Sequence, residues 1–171
     1  MADQRLGKEF FLGDAVEVAQ NLIGKTVVRR FDNGQELRCI ITETEAYRGE
    51  DDLACHASKG RTPRTDVMYH SGGVVYVYLI YGMYWMLNFV TSEQDFPAAV
   101  LIRGLGGING PGRVGKTLQL DRSFYGENLC SSSRIWVDNE GNSPIISSST
   151  RIGIDYAGLW AKKPWRFIII E

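Results

Sequence analysis

Residues 72–90 read GGVVYVYLIYGMYWMLNFV, and the way this stretch folds decides how the rest of the chain is arranged. A glycine pair opens it, and a β-branched and aromatic run follows as far as Ile80. Tyr81-Gly82 offers a two-residue turn, after which a second apolar run reaches Val90. The pattern predicts a β-hairpin with strands at about 74–80 and 83–90. Hairpin turns usually carry small polar residues, yet Tyr81, Met83, Tyr84 and Trp85 crowd this one. Either another part of the fold covers the tip, or the tip is an apolar wedge presented to a partner.

At 171 residues the chain suits one domain, 1–171, with room for a real core. No apolar run is long enough to span a bilayer, because Tyr and Gly interrupt the longest one. The opening Met1-Ala2-Asp3-Gln4, followed by charged residues, does not read as a secretory signal. Cys39, Cys55 and Cys130 are odd in number and widely spaced, which indicates neither a disulfide framework nor a zinc knuckle. A reducing cytoplasm is the expected setting. A formal net charge of −1 argues against indiscriminate nucleic-acid binding but leaves room for a local basic face.

Outside the hairpin, Asp14 and Glu17 form a capping-box pattern, and Val18, Leu22 and Ile23 form an apolar stripe. Gly24 supplies the stop, so a helix is predicted over 14–24. Residues 25–31 read as a strand, Asn33-Gly34 as a tight turn and 36–44 as the return strand. That strand runs into Glu43-Thr44-Glu45-Ala46-Tyr47; alternation puts Ile41, Glu43, Glu45 and Tyr47 on one face and Ile40 and Ala46 on the other. Carboxylates so placed are either salt-bridged surface residues or a working site, since Glu is seldom buried without a partner. Residues 48–70 read as a long loop with a short helix near 66–69, and loops of this length tend to be functional or disordered. This one holds His56, which taken alone is a surface residue, and Arg61 and Arg64 around Pro63, which suit phosphate contact.

Residues 98–103 read as a buried strand ending in Arg103, which either snorkels to solvent or holds an interior carboxylate. Gly110 to Thr117 reads GPGRVGKT and formally fits a Walker loop. Pro111 and the lack of βαβ alternation argue instead for a helix start, with 116–120 as the helix body and Arg113 and Lys116 able to grip a phosphate. Strands are expected at 134–138, 150–154 and 165–170, a turn at 139–142, a loop or helical turn at 157–160, and surface loops at the serine runs 131–133 and 147–149.

Taken together, Glu43-Thr44-Glu45-Ala46-Tyr47, His56, Thr62-Pro63-Arg64, the run from Tyr76 to Tyr84, Asn88, Leu101-Ile102-Arg103, Gly110-Pro111-Gly112-Arg113 and the run from Ala157 to Pro164 occur in one order. This order resembles the alkyladenine (3-methyladenine) DNA glycosylase family over nearly the whole chain, from about residue 10 to 167. The resemblance implies an α+β fold: a single domain with a curved, open-barrel-like antiparallel sheet, flanking helices and a protruding β-hairpin. It implies a monofunctional hydrolase that flips a damaged purine (3-methyladenine, 7-methylguanine, hypoxanthine or ethenoadenine) from duplex DNA and leaves an abasic site. Its expected partner is double-stranded DNA holding such a purine; a monomer, on the bacterial nucleoid, with no cofactor, metal or membrane, is expected.

By the same resemblance Glu45 is the general base that activates water, and Arg103 helps hold that carboxylate and water. Tyr47 and His56 sandwich the flipped base, with Tyr78 beside them. Tyr81 fills the gap in the duplex, Met83 and Tyr84 flank it, and Asn88 excludes the exocyclic amine of guanine. The residue chemistry agrees: extruding a nucleotide costs a few kcal/mol, and an apolar wedge must fill the space it leaves. A cationic base stacked on aromatic rings gains roughly 0.5–2 kcal/mol. No Lys lies within the pocket motifs, so a Schiff-base lyase is not indicated. Two other readings remain. One is an inactive lesion- or nucleic-acid-binding module on the same scaffold, which could dispense with Glu45 or Arg103. The other is a metal-dependent hydrolase using Glu43, Glu45, Asp51, Asp52 and His56, for which no HExxH or two-His-carboxylate spacing exists.

Overall fold

The computed structural model describes residues 4–141 and 143–170. Residues 1–3, part of the opening expected not to be a secretory signal, Asn142 of the expected turn and Glu171 lie outside the described residues. A short helix α1 (Lys8–Phe11) precedes α2 (Ala15–Leu22), and the Asp14 side chain accepts the Val16 N–H at 3.1 Å, as its position predicts. The helix ends at Leu22 because Ile23 turns extended and Gly24 takes φ +89°. Strands β1 (Thr26–Arg30) and β2 (Glu36–Arg48) follow, joined where Asn33 Oδ1 accepts the Gln35 N–H at 2.9 Å.

Strands β3 (Val75–Ile80) and β4 (Tyr84–Val90) form the expected hairpin, in register from Val75↔Phe89 to Ile80↔Tyr84. Tyr81 and Gly82 turn the chain with φ +51° and +66°, and the Met83 N–H donates to Ile80 O at 3.1 Å. Next come β5 (Ala98–Leu105), β6 (Ile108–Asn109), helix α3 (Pro111–Thr117), β7 (Ile135–Asp138), β8 (Ile145–Ser149) and β9 (Arg166–Ile170).

These strands make one antiparallel sheet in the order β3-β4-β5-β2-β1-β7, curled into a half-barrel of α+β type. Strand β2 is its hub. Its first part pairs with β1; β9, carrying β8, takes over the same edge at residues 43–45, while β5 lies along the other edge. Helices α2 and α3 cover one face, where Val18, Leu22, Val75, Val77, Leu87, Phe89, Val100 and Ile102 share the main core. The long loop 48–70 covers part of the other face through two short 3₁₀ turns, His56–Lys59 and Asp66–Tyr69; only the second was expected.

Three readings are corrected. The alternation along β2 does not run unbroken. Its register with β5 slips at 41–43 and again at 43–44, so Thr42 on β2 and Arg103 on β5 are each one residue extra. This double bulge moves Ile41 into the core beside Ala46, whereas Glu43, Glu45 and Tyr47 keep the opposite face. Second, the strand expected at 150–154 lies instead at Ile145–Ser149, so the serines at 147–149 are ladder residues paired with β9. Third, the helix starts at Pro111 as expected but ends at Thr117, two residues into the 116–120 stretch expected as its body.

Two glycines of that run, Gly112 and Gly115, serve packing. A Cβ at Gly115 would fall 1.8 Å from the Trp85 carbonyl oxygen, and one at Gly112 would fall 3.0 Å from the Tyr84 ring. They let α3 lie directly on β4, and no βαβ unit surrounds them. The Gly115 contact is with backbone, which cannot swing aside. Gly115→Ala should therefore destabilise the chain by at least about 1–3 kcal/mol, read as a lower urea midpoint. Gly107→Ala, with open space around its Cβ but φ +78°, should cost no more than about 1–2 kcal/mol. Equal losses would discredit the packing role.

Candidate active site

Glu45 stands near the end of β2, paired in register with β5 on one side and β9 on the other. Its side chain is 0 % exposed, so its charge must be met inside the protein. The Tyr47 hydroxyl donates to Oε1 at 2.7 Å, and the backbone N–H of Ile152 donates to Oε2 at 2.7 Å. Arg103 Nε lies 3.9 Å from Oε2 and hydrogen-bonds more closely to Glu43 Oε2, at 3.1 Å. Arg166 Nη1 reaches that same Glu43 oxygen at 3.1 Å. Burial raises the Glu45 pKa above the ordinary carboxylate value; Arg103, the Tyr47 hydroxyl, the Ile152 N–H and Arg151 oppose the rise. The outcome is a carboxylate of increased basicity that several donors still favour as an anion.

Strand alternation aims Arg103, and the bulge there resets the facing of the residues that follow. Ala99, Leu101 and Arg103 lie toward the pocket, whereas Val100 and Ile102 lie in the core; below the bulge the core position passes to Leu105. A Cβ at Gly104 would fall 2.8 Å from the Thr42 Oγ1, so only glycine permits the two bulged residues to close up.

On the same face, Tyr47, Ala54, His56, Met68, Tyr76, Tyr78, Asn88 and Ala99 line a pocket. Strand alternation sorts the hairpin cleanly: Tyr76 and Tyr78 face the pocket, while Val75 and Val77 face the core. His56 meets Tyr78 edge to face, with ring centroids 4.6 Å apart, and its Nδ1 is 2.9 Å from the Tyr76 hydroxyl. Burial pushes the His56 pKa down to about 4, with Arg64 and Lys59 adding to the depression, so its imidazole is neutral near neutral pH. The Asn88 amide donates to the carbonyls of Tyr76 and Met86 at 3.2 and 3.4 Å and is fixed in the pocket wall. The pocket encloses about 20 Å³, room for roughly one water, so a purine ring is admitted only if a wall gives way.

Beyond the pocket the hairpin tip is bare: Tyr81 is 87 % exposed and Met83 64 %. Tyr84 is half-buried against Gly112 of α3. Among the arginines expected to meet phosphate, Arg61 is held by Asp66 at 2.7 Å, and Arg64 lies over the Tyr78 ring at 5.0 Å. Arg113 and Lys116 are exposed on α3. Thus Glu45, Tyr47, His56, Tyr78, Asn88 and Arg103 converge, Tyr81 and Met83 stand apart at the tip, and Arg113 and Lys116 lie on a flanking helix.

Sequence reasoning missed four contributors. Tyr76 fixes His56, and its place two residues before Tyr78 was the available signal. Arg151, Asp52 and the Ile152 N–H carry no local signal, because their contacts span about a hundred residues of chain. Asp51 is exposed, Asp52 is bonded to Arg151 and Glu43 to two arginines, so the acidic residues do not gather with His56. Among the described residues no three His, Cys, Asp or Glu side chains cluster in a way that would hold a metal ion, and no helix is long and apolar enough to cross a membrane.

The methylpurine-DNA glycosylase family matches this chain over residues 9–107 and 106–171. A candidate 3-methyladenine DNA glycosylase of Natranaerobius thermophilus is 43 % identical over 189 residues, covering 96 % of this chain and 95 % of its own length. Candidates of the same name in Psychrobacter cryohalolentis and Methanocella arvoryzae are 45 % and 41 % identical, covering 82 % and 95 % of this chain and 80 % and 90 % of their own. The chain therefore belongs to the methylpurine-DNA glycosylase family, hydrolases that act on the N-glycosyl bond of DNA.

Proposed function

We propose that this chain, acting as a single domain and a monomer in the cytoplasm, extrudes an alkylated or deaminated purine from double-stranded DNA and hydrolyses its N-glycosyl bond. The observation that carries the reading is a buried, ionisable Glu45 beside an aromatic pocket, with an exposed aromatic hairpin tip on the same molecule.

Tyr81, flanked by Met83, enters the duplex and occupies the space that the extruded nucleotide leaves, which offsets part of the few kcal/mol of unstacking. The base passes between Tyr47 and the His56–Tyr78 pair, moving one wall aside. For 3-methyladenine or 7-methylguanine the base carries positive charge. The neutral His56 adds no repulsion, and the Tyr faces attract the cation by roughly 0.5–2 kcal/mol. Asn88, with its amide nitrogen already committed, limits the room for a guanine amine. As the C1′–N bond lengthens, positive charge builds on the sugar; Glu45 takes a proton from water, which adds to C1′, and the purine leaves with the bonding pair. Arg103 keeps the carboxylate group charged and oriented. No amine lines the pocket, which supports hydrolysis without strand cleavage. Arg61, Arg64, Arg113 and Lys116 meet backbone phosphates, Arg61 only by sharing its charge with Asp66.

Four experiments test this. A duplex holding one ethenoadenine or hypoxanthine, incubated with the protein and heated in alkali, should break at the lesion. Glu45→Gln should lower single-turnover excision by at least about 10²-fold while lesion binding persists; unaltered excision would remove Glu45 from the chemistry, and a wild type that binds the lesion duplex without cleaving it would favour the inactive binding module. Tyr81→Ala should weaken binding to the lesion duplex by roughly tenfold, the worth of one stacked ring, and an unchanged affinity would count against the wedge. Finally, excision should decline as pH falls through the raised Glu45 pKa. Tyr47→Phe removes a donor that lowers that pKa, so its acid limb should move to higher pH; a limb that stays or moves lower contradicts the assignment.

A further inference from the structure

Both hydrogen-bond donors that reach the Glu45 carboxylate are held by one buried side chain that the chemistry above does not use. Arg151 is 4 % exposed. Its fork closes on Asp52 through two bonds, Nη1 to Oδ2 at 2.7 Å and Nη2 to Oδ1 at 3.0 Å. The same nitrogens donate to the carbonyls of Ala46 at 2.9 Å and Trp160 at 3.0 Å. The guanidinium also lies over the rings of Tyr47 and Trp165, at 4.9 and 5.0 Å. Asp52 in turn accepts the backbone N–H groups of Arg48 and Ala54. Strand β2, the loop that carries His56, and the segment after β8 therefore meet on one cation.

The residue after Arg151 is the one whose N–H donates to Glu45 Oε2, and the ring beneath its guanidinium carries the hydroxyl that donates to Oε1. Residues 150–154 form no strand, so no ladder holds the Ile152 N–H in place. The segment's other anchor is the Thr150 carbonyl, bonded to Arg166 Nε. We propose that Arg151, locked to Asp52, is a positioning residue: it sets the Ile152 N–H and the Tyr47 hydroxyl on the two oxygens of Glu45 and so aims the carboxylate. The catalytic meaning rests on Glu45 as the base, but the positioning belongs to the protein at rest.

A planar fork with five donors can span a carboxylate, two carbonyls and two ring faces, and a lysine cannot. Arg151→Lys thus separates geometry from charge. The charged and titratable groups facing Glu45 are Arg103 from β5, Tyr47 from β2, Tyr78 from β3 and Arg151 itself, with the Glu43–Arg166 pair behind Arg103. All of these remain in the variant except the fork.

The test is carboxyl and amide NMR on the full chain, with excision as a second readout. In the wild type the Ile152 amide proton should follow the Glu45 titration. In Arg151→Lys and in Asp52→Asn that amide should lose its hydrogen-bonded shift and Glu45 should titrate at higher pH. Single-turnover excision at mildly acid pH should fall by at least about tenfold in each variant, the effect of one charge-assisted hydrogen bond, and should recover as pH rises. Replacing Ile152 by its α-hydroxy acid deletes the donor alone and should raise the Glu45 midpoint with the ion pair intact. An unchanged midpoint in that chain, or in folded Asp52→Asn, overturns the proposal. A silent Arg151→Lys overturns it in favour of charge alone. A wild type that excises nothing from the lesion duplexes sinks the proposed function, while the NMR titrations still decide the positioning by themselves.

Discussion

A carboxylate that is out of water must be satisfied by the protein or lose its charge, and Glu45 sets that condition for the rest of this fold. Removing an ionised group from solvent without partners costs far more than a domain can supply. The partners at Glu45 come from β2, β5 and the segment following β8, which are distant in sequence. The sheet must curl to bring them together, and the paired bulges at Thr42 and Arg103 are where it does so. The position of Gly104 follows from this, since any Cβ there would strike Thr42. Burial makes Glu45 a stronger base and its donors favour the anion, two opposing effects that meet on one carboxyl group.

The hairpin joins three tasks through the two-residue period of a strand. One face of β3 and β4 contributes Val75, Val77, Leu87 and Phe89 to the core, and the other contributes Tyr76, Tyr78 and Asn88 to the pocket. The ladder stops at Ile80↔Tyr84, so Tyr81 and Met83 project beyond both. Leaving two large apolar side chains in water forgoes roughly 1.5–3 kcal/mol apiece, which a fold can offset only through firm packing elsewhere, here just behind the turn. Helix α3 supplies that packing through Gly112 and Gly115, with its backbone against the strand. A displacement of the tip thus becomes a displacement of the pocket wall, because Tyr78 and Tyr81 are three residues apart on one rigid ribbon.

Features encoded locally were legible in the sequence. Asp14 caps the helix it was expected to cap, Asn33-Gly34 turns the first hairpin, and alternation from 74 to 80 sorts valines from tyrosines. What failed was reasoning that carried a local pattern across an invisible long-range event. Alternation along β2 placed Ile41 with Glu43, and a bulge set by pairing with β5 separated them. The glycines at 110–115 matched a phosphate loop because close backbone packing and phosphate cradling both demand the absence of a side chain. The expected strand at 150–154 is apolar and β-branched enough to pair, but Arg151 is drawn out of any ladder by Asp52, about a hundred residues away. The serines taken for a surface loop pair with β9 instead, since an edge strand tolerates residues of low hydrophobicity.

The formal charge of −1 acquires a physical meaning once the ion pairs are traced. Arg30, Arg38, Arg48, Arg61, Arg103, Arg134, Arg151 and Arg166 each sit on a carboxylate of the same chain. Much of the cationic inventory therefore organises the fold and its site, and is not free to neutralise phosphates. Arg64, Arg113 and Lys116 have no ion pair among the described residues, and the first of them leans over the pocket's own Tyr78. Lys8, Lys59, Arg122, Lys162 and Lys163 are likewise exposed and in no ion pair among the described residues, so a set of cations remains that can release counterions from a phosphate backbone. Under the proposed function, discrimination rests on interactions that exist only when a base has left the stack: an aromatic tip in the gap, and rings around the extruded purine. On that reading the cations hold any duplex alike, and only the tip and the pocket tell a damaged base from an intact one.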